Sequence, residues 1–336
     1  MSANDQTKRQ LLITASPHLR EGDSISKIMW AVVLALMPAV VMSVYFFGLR
    51  ALTVYAISVA AAVATEAACL SLRRQPLSHA LDGSAAVTGL LLAMVLPPSA
   101  SWYCVLVGAV FSVCIVKHCF GGLGHNVWNP ALMGRIFVQF AYPSQMMPST
   151  WPSPRLLFDG SVDAVTQATP LFREGAAQAD YLDLLLGNGI AGSLGETCKV
   201  ALLIGGVYLI LRRCVDWRVP LFYIGTVFIL TRWLPAPADA APWARDPLYH
   251  VLSGGLIIGA FFMATDMVTT PVTPLGRIIF GAGCGIVVSL VRRYGGYPEG
   301  VAYSIVLMNT ATPLIDRWCR PRIYGSKTPK PAPRRT

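Results

Sequence analysis

Apolar residues in this chain gather into long blocks instead of alternating with polar ones. The blocks run over approximately 28–47, 51–70, 84–97, 101–118, 130–142, 198–212, 218–233, 248–265, 275–291 and 300–315. Runs of this length that are apolar all round predict helices with no water-facing side. A bilayer core about 30 Å thick takes roughly 20 apolar residues per helix, and somewhat fewer when a helix is broken. The pattern therefore predicts an all-α polytopic membrane protein of about ten transmembrane helices. Between Gly83 and Val116 there is no charged residue, yet Pro97-Pro98-Ser-Ala-Ser interrupts the run where a helix would lose backbone hydrogen bonds. That stretch reads as two spans joined by a tight turn.

Composition agrees with a lipid environment. Of 336 residues, 54% are hydrophobic and only 13% charged, too little polar surface for a water-soluble domain of this size. The net charge of +10 does not point to nucleic acid, because the basic residues sit in short runs beside apolar blocks and form no amphipathic stripe. Retention of basic loops in the cytoplasm accounts for them better. With the N-terminus inside, 19 of the 27 Lys and Arg lie on the cytoplasmic side, among them Arg73-Arg74, Lys117, Arg135, Arg212-Arg213, Arg218, Arg277 and the tail from Arg317. Arg292-Arg293 would then lie outside and runs against the bias.

The resulting layout has a cytoplasmic N-terminal segment (1–27) leading into a retained first span, and a first membrane repeat of about five spans (28–142). An extracytoplasmic loop (143–197), a second membrane repeat of about five spans (198–316) and a basic cytoplasmic tail (317–336) follow. The halves share faint echoes: Gly89-Leu-Leu-Leu before Pro97 is similar to Gly255-Leu-Ile-Ile before Pro271, and Asn129-Pro-Ala to Asn309-Thr-Ala-Thr-Pro. An odd number of spans per half would invert the second repeat, and inverted pairs build sites near the midplane from broken helices.

Few residues carry recognisable chemistry. The eight cysteines are scattered without a CxxC pair and read as small hydrophobes. His118 and His125 lack a ligand set at zinc spacing, and no metal site is expected. Glu66 falls near the cytoplasmic end of the second span, where snorkelling toward Arg73 is the bland explanation. No P-loop, GxGxxG or Ser/His/Asp arrangement is present, so the chain shows no recognisable nucleotide-binding or hydrolytic motif of its own.

The outer loop contains Asp163-Ala-Val-Thr-Gln-Ala-Thr-Pro-Leu171. Taken alone, Thr166-x-Ala168-Thr169 equally fits an ordinary polar loop. In this context it resembles the flavinylation site of the family that joins the D-type subunit of Rnf complexes to the B-type subunit of Na⁺-translocating NADH:quinone reductase, with Gln167 where Gly is commoner. The resemblance implies that Thr169 is esterified by the phosphate of flavin mononucleotide (FMN), with Asp163, Thr166 and Ala168 around it. A threonine hydroxyl is a poor nucleophile, so a dedicated flavin transferase, drawing on FAD, must reach the segment.

Two more segments match the same family. Gly121-Gly-Leu-Gly-His-Asn-Val-Trp-Asn-Pro-Ala-Leu-Met-Gly-Arg135 supplies Asn126, Asn129 and Arg135 as candidate cofactor contacts, against the plain reading of a tight interhelical turn. Met263-Ala-Thr-Asp-Met-Val-Thr-Thr-Pro-Val-Thr-Pro-Leu-Gly-Arg277 supplies Asp266, Thr269 and Thr270. A carboxylate with hydroxyls and proline-freed carbonyls could hold a flavin or a cation, or Asp266 could simply sit in the interface.

The resemblance, which covers nearly the whole chain, implies a fold of two inverted five-helix repeats like that of urea and ammonium transporters. It implies a six-subunit bacterial inner-membrane complex in which subunits of A, B, C, E and G type are the partners. Electrons would pass between NADH and ferredoxin while Na⁺ or H⁺ moves, with the flavin loop periplasmic. Relatives of the quinone-reductase branch add a second, non-covalent riboflavin. The competing readings are a solute channel of the urea/ammonium type without redox cofactor, and a structural anchor for a peripheral partner.

Overall fold

The computed structural model describes residues 24–147, 151–152, 166–167, 180–234, 245–295 and 299–320. A helix stands on each of the apolar blocks, with ends set by local chemistry. Ser24 caps α1 (Ile25–Phe47), accepting from the Lys27 N–H at 3.3 Å. Gly48, at φ +65°, turns the chain into α2 (Leu49–Leu72). α3 (Ser84–Met94) stops short of Pro97-Pro98, as the sequence requires. α4 starts at Trp102 as an α-helix to Val110 and widens over Phe111–His118 into π-type bonding, with Cys119 N–H reaching the Cys114 carbonyl. α5 spans Pro130–Ala141.

The polar stretch 143–197 is less of a plain loop than its composition suggests. Trp151–Pro152 and Thr166–Gln167 form a two-residue antiparallel pair, and α6 (Tyr181–Leu186) and a 3₁₀ turn at Leu194–Glu196 pack into the body through Leu184 and Leu194, both buried. α7 (Lys199–Leu211) and α8 (Arg218–Trp233) follow. The block expected as one span over 248–265 is broken. α9 (Pro247–Leu252) ends at Ser253, Gly254 takes φ +67°, and α10 begins at Leu256–Ile258 and continues as a π-turn over Gly259–Met263. α11 (Pro274–Tyr294) and α12 (Val301–Trp318) complete the described helices.

Packing partners recur between the halves. α2 lies on α3 and α4, and α8 lies on α9 and α11; α4 lies on α5, and α11 on α12. α1 crosses α7 and α5 crosses α12, joining residues 25–141 to residues 199–318. At the first crossing, Gly205 lets α7 approach so closely that an added Cβ would strike the Ala35 carbonyl.

Large apolar side chains face outward as well as inward. Leu36, Leu92, Tyr223 and Phe280 are fully buried, while Leu34, Leu52, Ile204, Leu211 and Phe140 point outward at half exposure or more. Helices apolar on both faces belong in lipid, and the chain is a membrane protein. α1, α2 and α11 are long and apolar enough to cross a bilayer by themselves, and α3, α4 and α7 are shorter apolar helices.

Candidate functional site at the broken helices

Asn129 joins three segments. Its position before Pro130 makes it the natural cap of α5, and Oδ1 accepts from Ala131 N–H at 3.1 Å and Leu132 N–H at 3.4 Å. Nδ2 donates to the Met263 carbonyl at 3.1 Å, where the π-turn of α10 ends. Its backbone N–H meets the Asn309 amide oxygen on α12 at 3.1 Å when that amide is oriented to satisfy both neighbours. Asn126 donates to the Trp128 carbonyl at 3.1 Å, and Trp128 Nε1 donates to Thr310 Oγ1 at 2.9 Å, so the glycine turn is pinned to α12 as well.

Asp266 follows α10. Thr269 Oγ1 donates to its Oδ2 at 3.3 Å and Thr270 Oγ1 to its backbone carbonyl at 2.6 Å, while Thr312 donates to the Thr269 carbonyl at 2.9 Å. The two sequence motifs thus meet across a cleft, with Lys117, Asn126, Asn129 and Asp266 facing apolar Ile28, Leu91 and Phe261. Few polar groups converging on an apolar wall is the usual character of a small-molecule site.

The same cleft reaches a buried charge group that the sequence reading mispaired. Glu66 does not snorkel toward Arg73; Lys117 Nζ donates to both its oxygens, at 2.8 and 2.7 Å, and to Ser84 Oγ at 2.7 Å. His118 Nε2 lies 3.5 Å from Glu66 Oε2. Arg73 instead donates to the Gly121 carbonyl at 2.9 Å. The available signal was Lys117 itself, a charge closing a long uncharged block.

Arg135 does not join Asn126 and Asn129. Nearly two turns further along α5, it forms a buried ion pair with Glu299, just before α12. Glu299 lines a smaller cavity, about 320 Å³, with Glu196, Lys199, Ser253 and Gly254. Arg292 caps the break between α9 and α10, donating to the carbonyls of His250 and, at 3.1 Å, Ser253; Arg293 donates to the Leu234 carbonyl at 2.6 Å. The two arginines that strained the topology count are thus bonded to carbonyls of their own chain. These helix-end carbonyls have no partner within their own helices.

Outside the spans, Asp216 sits in the turn between α7 and α8. Partial burial pushes its carboxyl up, but the Arg218 N–H at 3.0 Å, the Arg277 guanidinium at 2.6 Å and both positive charges outweigh it and hold it below the ordinary 3.8.

Of the flavinylation motif, Asp163, Ala168 and Thr169 lie outside the described residues. The backbone of Thr166 and Gln167 is extended and pairs with Pro152 and Trp151. Trp151 is buried, and its indole Nε1 has no partner among the described residues. Among the described residues no group of three His, Cys, Asp or Glu could hold a metal, and all eight cysteines are free.

A family model described as the NQR2, RnfD, RnfE family matches residues 12–325. The chain is 45% identical over 338 residues to the D-type subunit of the proton-translocating ferredoxin:NAD(+) oxidoreductase complex of Clostridium ljungdahlii, covering 97% of this chain and 99% of the relative. It is 45% identical over 320 residues to the D-type subunit of the Na(+)-translocating ferredoxin:NAD(+) oxidoreductase complex of Acetobacterium woodii, covering 94% and 95%. To the D-type subunit of the ion-translocating oxidoreductase complex of Stutzerimonas stutzeri it is 39% identical over 331 residues, covering 90% and 92%.

Proposed function

The chain belongs to the NQR2, RnfD, RnfE family, and on that footing we propose that it is the D-type membrane subunit of an ion-translocating ferredoxin:NAD⁺ oxidoreductase, carrying FMN covalently on Thr169. The observation that carries this reading is the end-to-end likeness to relatives so named, at 45% identity. The ten helical segments are read as spans in two inverted repeats with both termini cytoplasmic, in the bacterial inner membrane. Their recurring packing partners support the repeat. The partners are subunits of A, B, C, E and G type, with the NADH site on one of them.

The residues described around the motif fit a covalently held flavin. Strand pairing with Trp151–Pro152 holds Thr166–Gln167 extended just ahead of Ala168 and Thr169, and an extended segment is what a modifying enzyme can engage. Trp151, buried beside that strand, has an indole N–H with no partner among the described residues, a donor that an acceptor could satisfy. When attached, the isoalloxazine would exchange electrons with redox groups on neighbouring subunits. The chain's own part is to fix the attachment point on the outer face and to keep it tethered to a rigid helical body.

The same reading assigns a second, non-covalent riboflavin to the cleft where Asn126, Asn129 and Asp266 meet. Its lining, a few polar groups set against an apolar wall, is the kind such a ligand uses. Thr269 and Thr270 would act there by holding Asp266 in place, and Arg135, paired with Glu299, would brace α5 against α12. In-gel flavin fluorescence of the denatured subunit, made in a host with its flavin transferase, tests the covalent assignment. Thr169→Ala should abolish the fluorescence, and its persistence in that variant would refute the acceptor.

A further inference from the structure

An adjoining, charged cleft opens beside the turn between α7 and α8, lined by Arg213, Trp217, Arg218, Thr270 and Arg277. Three guanidiniums face one carboxylate. Asp216 accepts from Arg277 Nη1 at 2.6 Å and from Arg218 Nη1 at 3.3 Å, and Arg277 Nε donates to the Pro271 carbonyl at 3.1 Å. Each guanidinium offers five N–H groups in a fixed fork, so these contacts hold two forks in place and leave donors over. The Arg213 guanidinium has no ion-pair partner among the described residues. The cleft keeps a surplus of positive charge with orientation already fixed.

Arg213 is also strained. It takes φ +58° at the end of α7, where its N–H bonds the Ile210 carbonyl at 2.9 Å and the next N–H, of Cys214, bonds the Leu209 carbonyl at 3.0 Å. This is the helix-ending position that glycine fills at no cost. Arg74 ends α2 in the same conformation, so it is the surroundings that set Arg213 apart. Leu211, Leu221 and Leu275 expose more than half their surface nearby, and half-exposed Trp217 stacks on Arg218 at 5.7 Å, as aromatic residues do at a membrane's polar boundary.

We propose that this cleft binds the phosphate of an anionic membrane lipid, with Arg213, Arg218 and Arg277 around the headgroup and the acyl chains along Leu211, Leu221 and Leu275. The leaflet, the cytoplasmic one, rests on the orientation given above; the site itself does not. Basic pockets between membrane helices on that side are where anionic headgroups concentrate.

The test uses the complex purified in nanodiscs of phosphatidylcholine with or without phosphatidylglycerol, read by native mass spectrometry of retained lipid and by thermal unfolding. Arg213→Gly removes the charge while suiting the backbone, so folding is preserved. Arg74→Gly, at the equally left-handed end of α2 (φ +54°) and outside the cleft, is the control. Phosphatidylglycerol should be retained about fivefold less by the Arg213→Gly complex, and as in wild type by Arg74→Gly. Equal retention in Arg213→Gly would overturn the proposal, as would inorganic phosphate displacing the lipid at matched concentration. Flavin fluorescence of the same samples reports the redox reading separately, so either can fail without the other.

Discussion

Lys117 on α4 donates from Nζ to both carboxylate oxygens of Glu66 on α2, 51 residues away in sequence, with 3% and 4% of the two side chains exposed. Ser84, at the start of α3, takes the third ammonium proton. Three helices of the first half therefore close on one ion pair.

Removing one member should be far worse than removing both. Lys117→Met or Glu66→Gln alone leaves a buried charge without its counter-ion, a loss of about 3–5 kcal/mol. The double variant Glu66→Met with Lys117→Met should recover most of it. Thermal unfolding of the three variants in the same detergent checks this. Single variants as stable as wild type would mean the pair is hydrated and marginal.

Asn129 should behave as a joint between α5 and α10. Asn129→Ala loses the helix cap, about 1 kcal/mol, and strands the Met263 carbonyl. Asn129→Asp keeps the cap but removes the donor and sets a second carboxylate in the Asp266 cleft. Both variants should melt below wild type, and riboflavin, if held there, should co-purify less with each. A wild-type melting curve for Asn129→Ala would show that the joint contributes nothing.

Acid sensitivity should report Asp216. Its carboxyl titrates below its unfolded value because Arg218 and Arg277 favour the charged form. A depressed carboxyl adds stability that is fully present above about pH 4 and is lost as pH falls through the folded value. Relative to Asp216→Asn, the wild-type protein should therefore be more stable at neutral pH, with the difference closing below about pH 4. Unfolding temperatures of both, measured across that range, check the sign.

The helical segments were legible because the apolar blocks are long and several are bounded by residues that stop or start helices: Gly48 and Pro97-Pro98 after α1 and α3, Asn129-Pro130 and Thr273-Pro274 at the starts of α5 and α11. The break at Ser253–Gly255 was not, because small residues inside an apolar run read equally as close helix packing. Nor was the partner of Glu66. Spacing along one helix can suggest Arg73, but which charge arrives from α4 is set by how α2 and α4 cross, and by the π-turn that rotates Lys117 and His118 inward. Asn126, Asn129 and Asp266 line one cleft, with Thr269 and Thr270 bonded to Asp266, whereas Arg135 faces Glu299. Polar residues between helix ends are legible as candidates; which of two cavities they serve depends on tertiary packing.

The acceptor for the flavin is the central claim, and intact-mass analysis of the subunit tests it most directly. Isolated from a host that supplies its flavin transferase, the polypeptide should be heavier than its amino-acid mass by one FMN less one water, with the added mass on a peptide containing Thr169. A subunit at its bare amino-acid mass, or a flavin on any other peptide, would contradict the account.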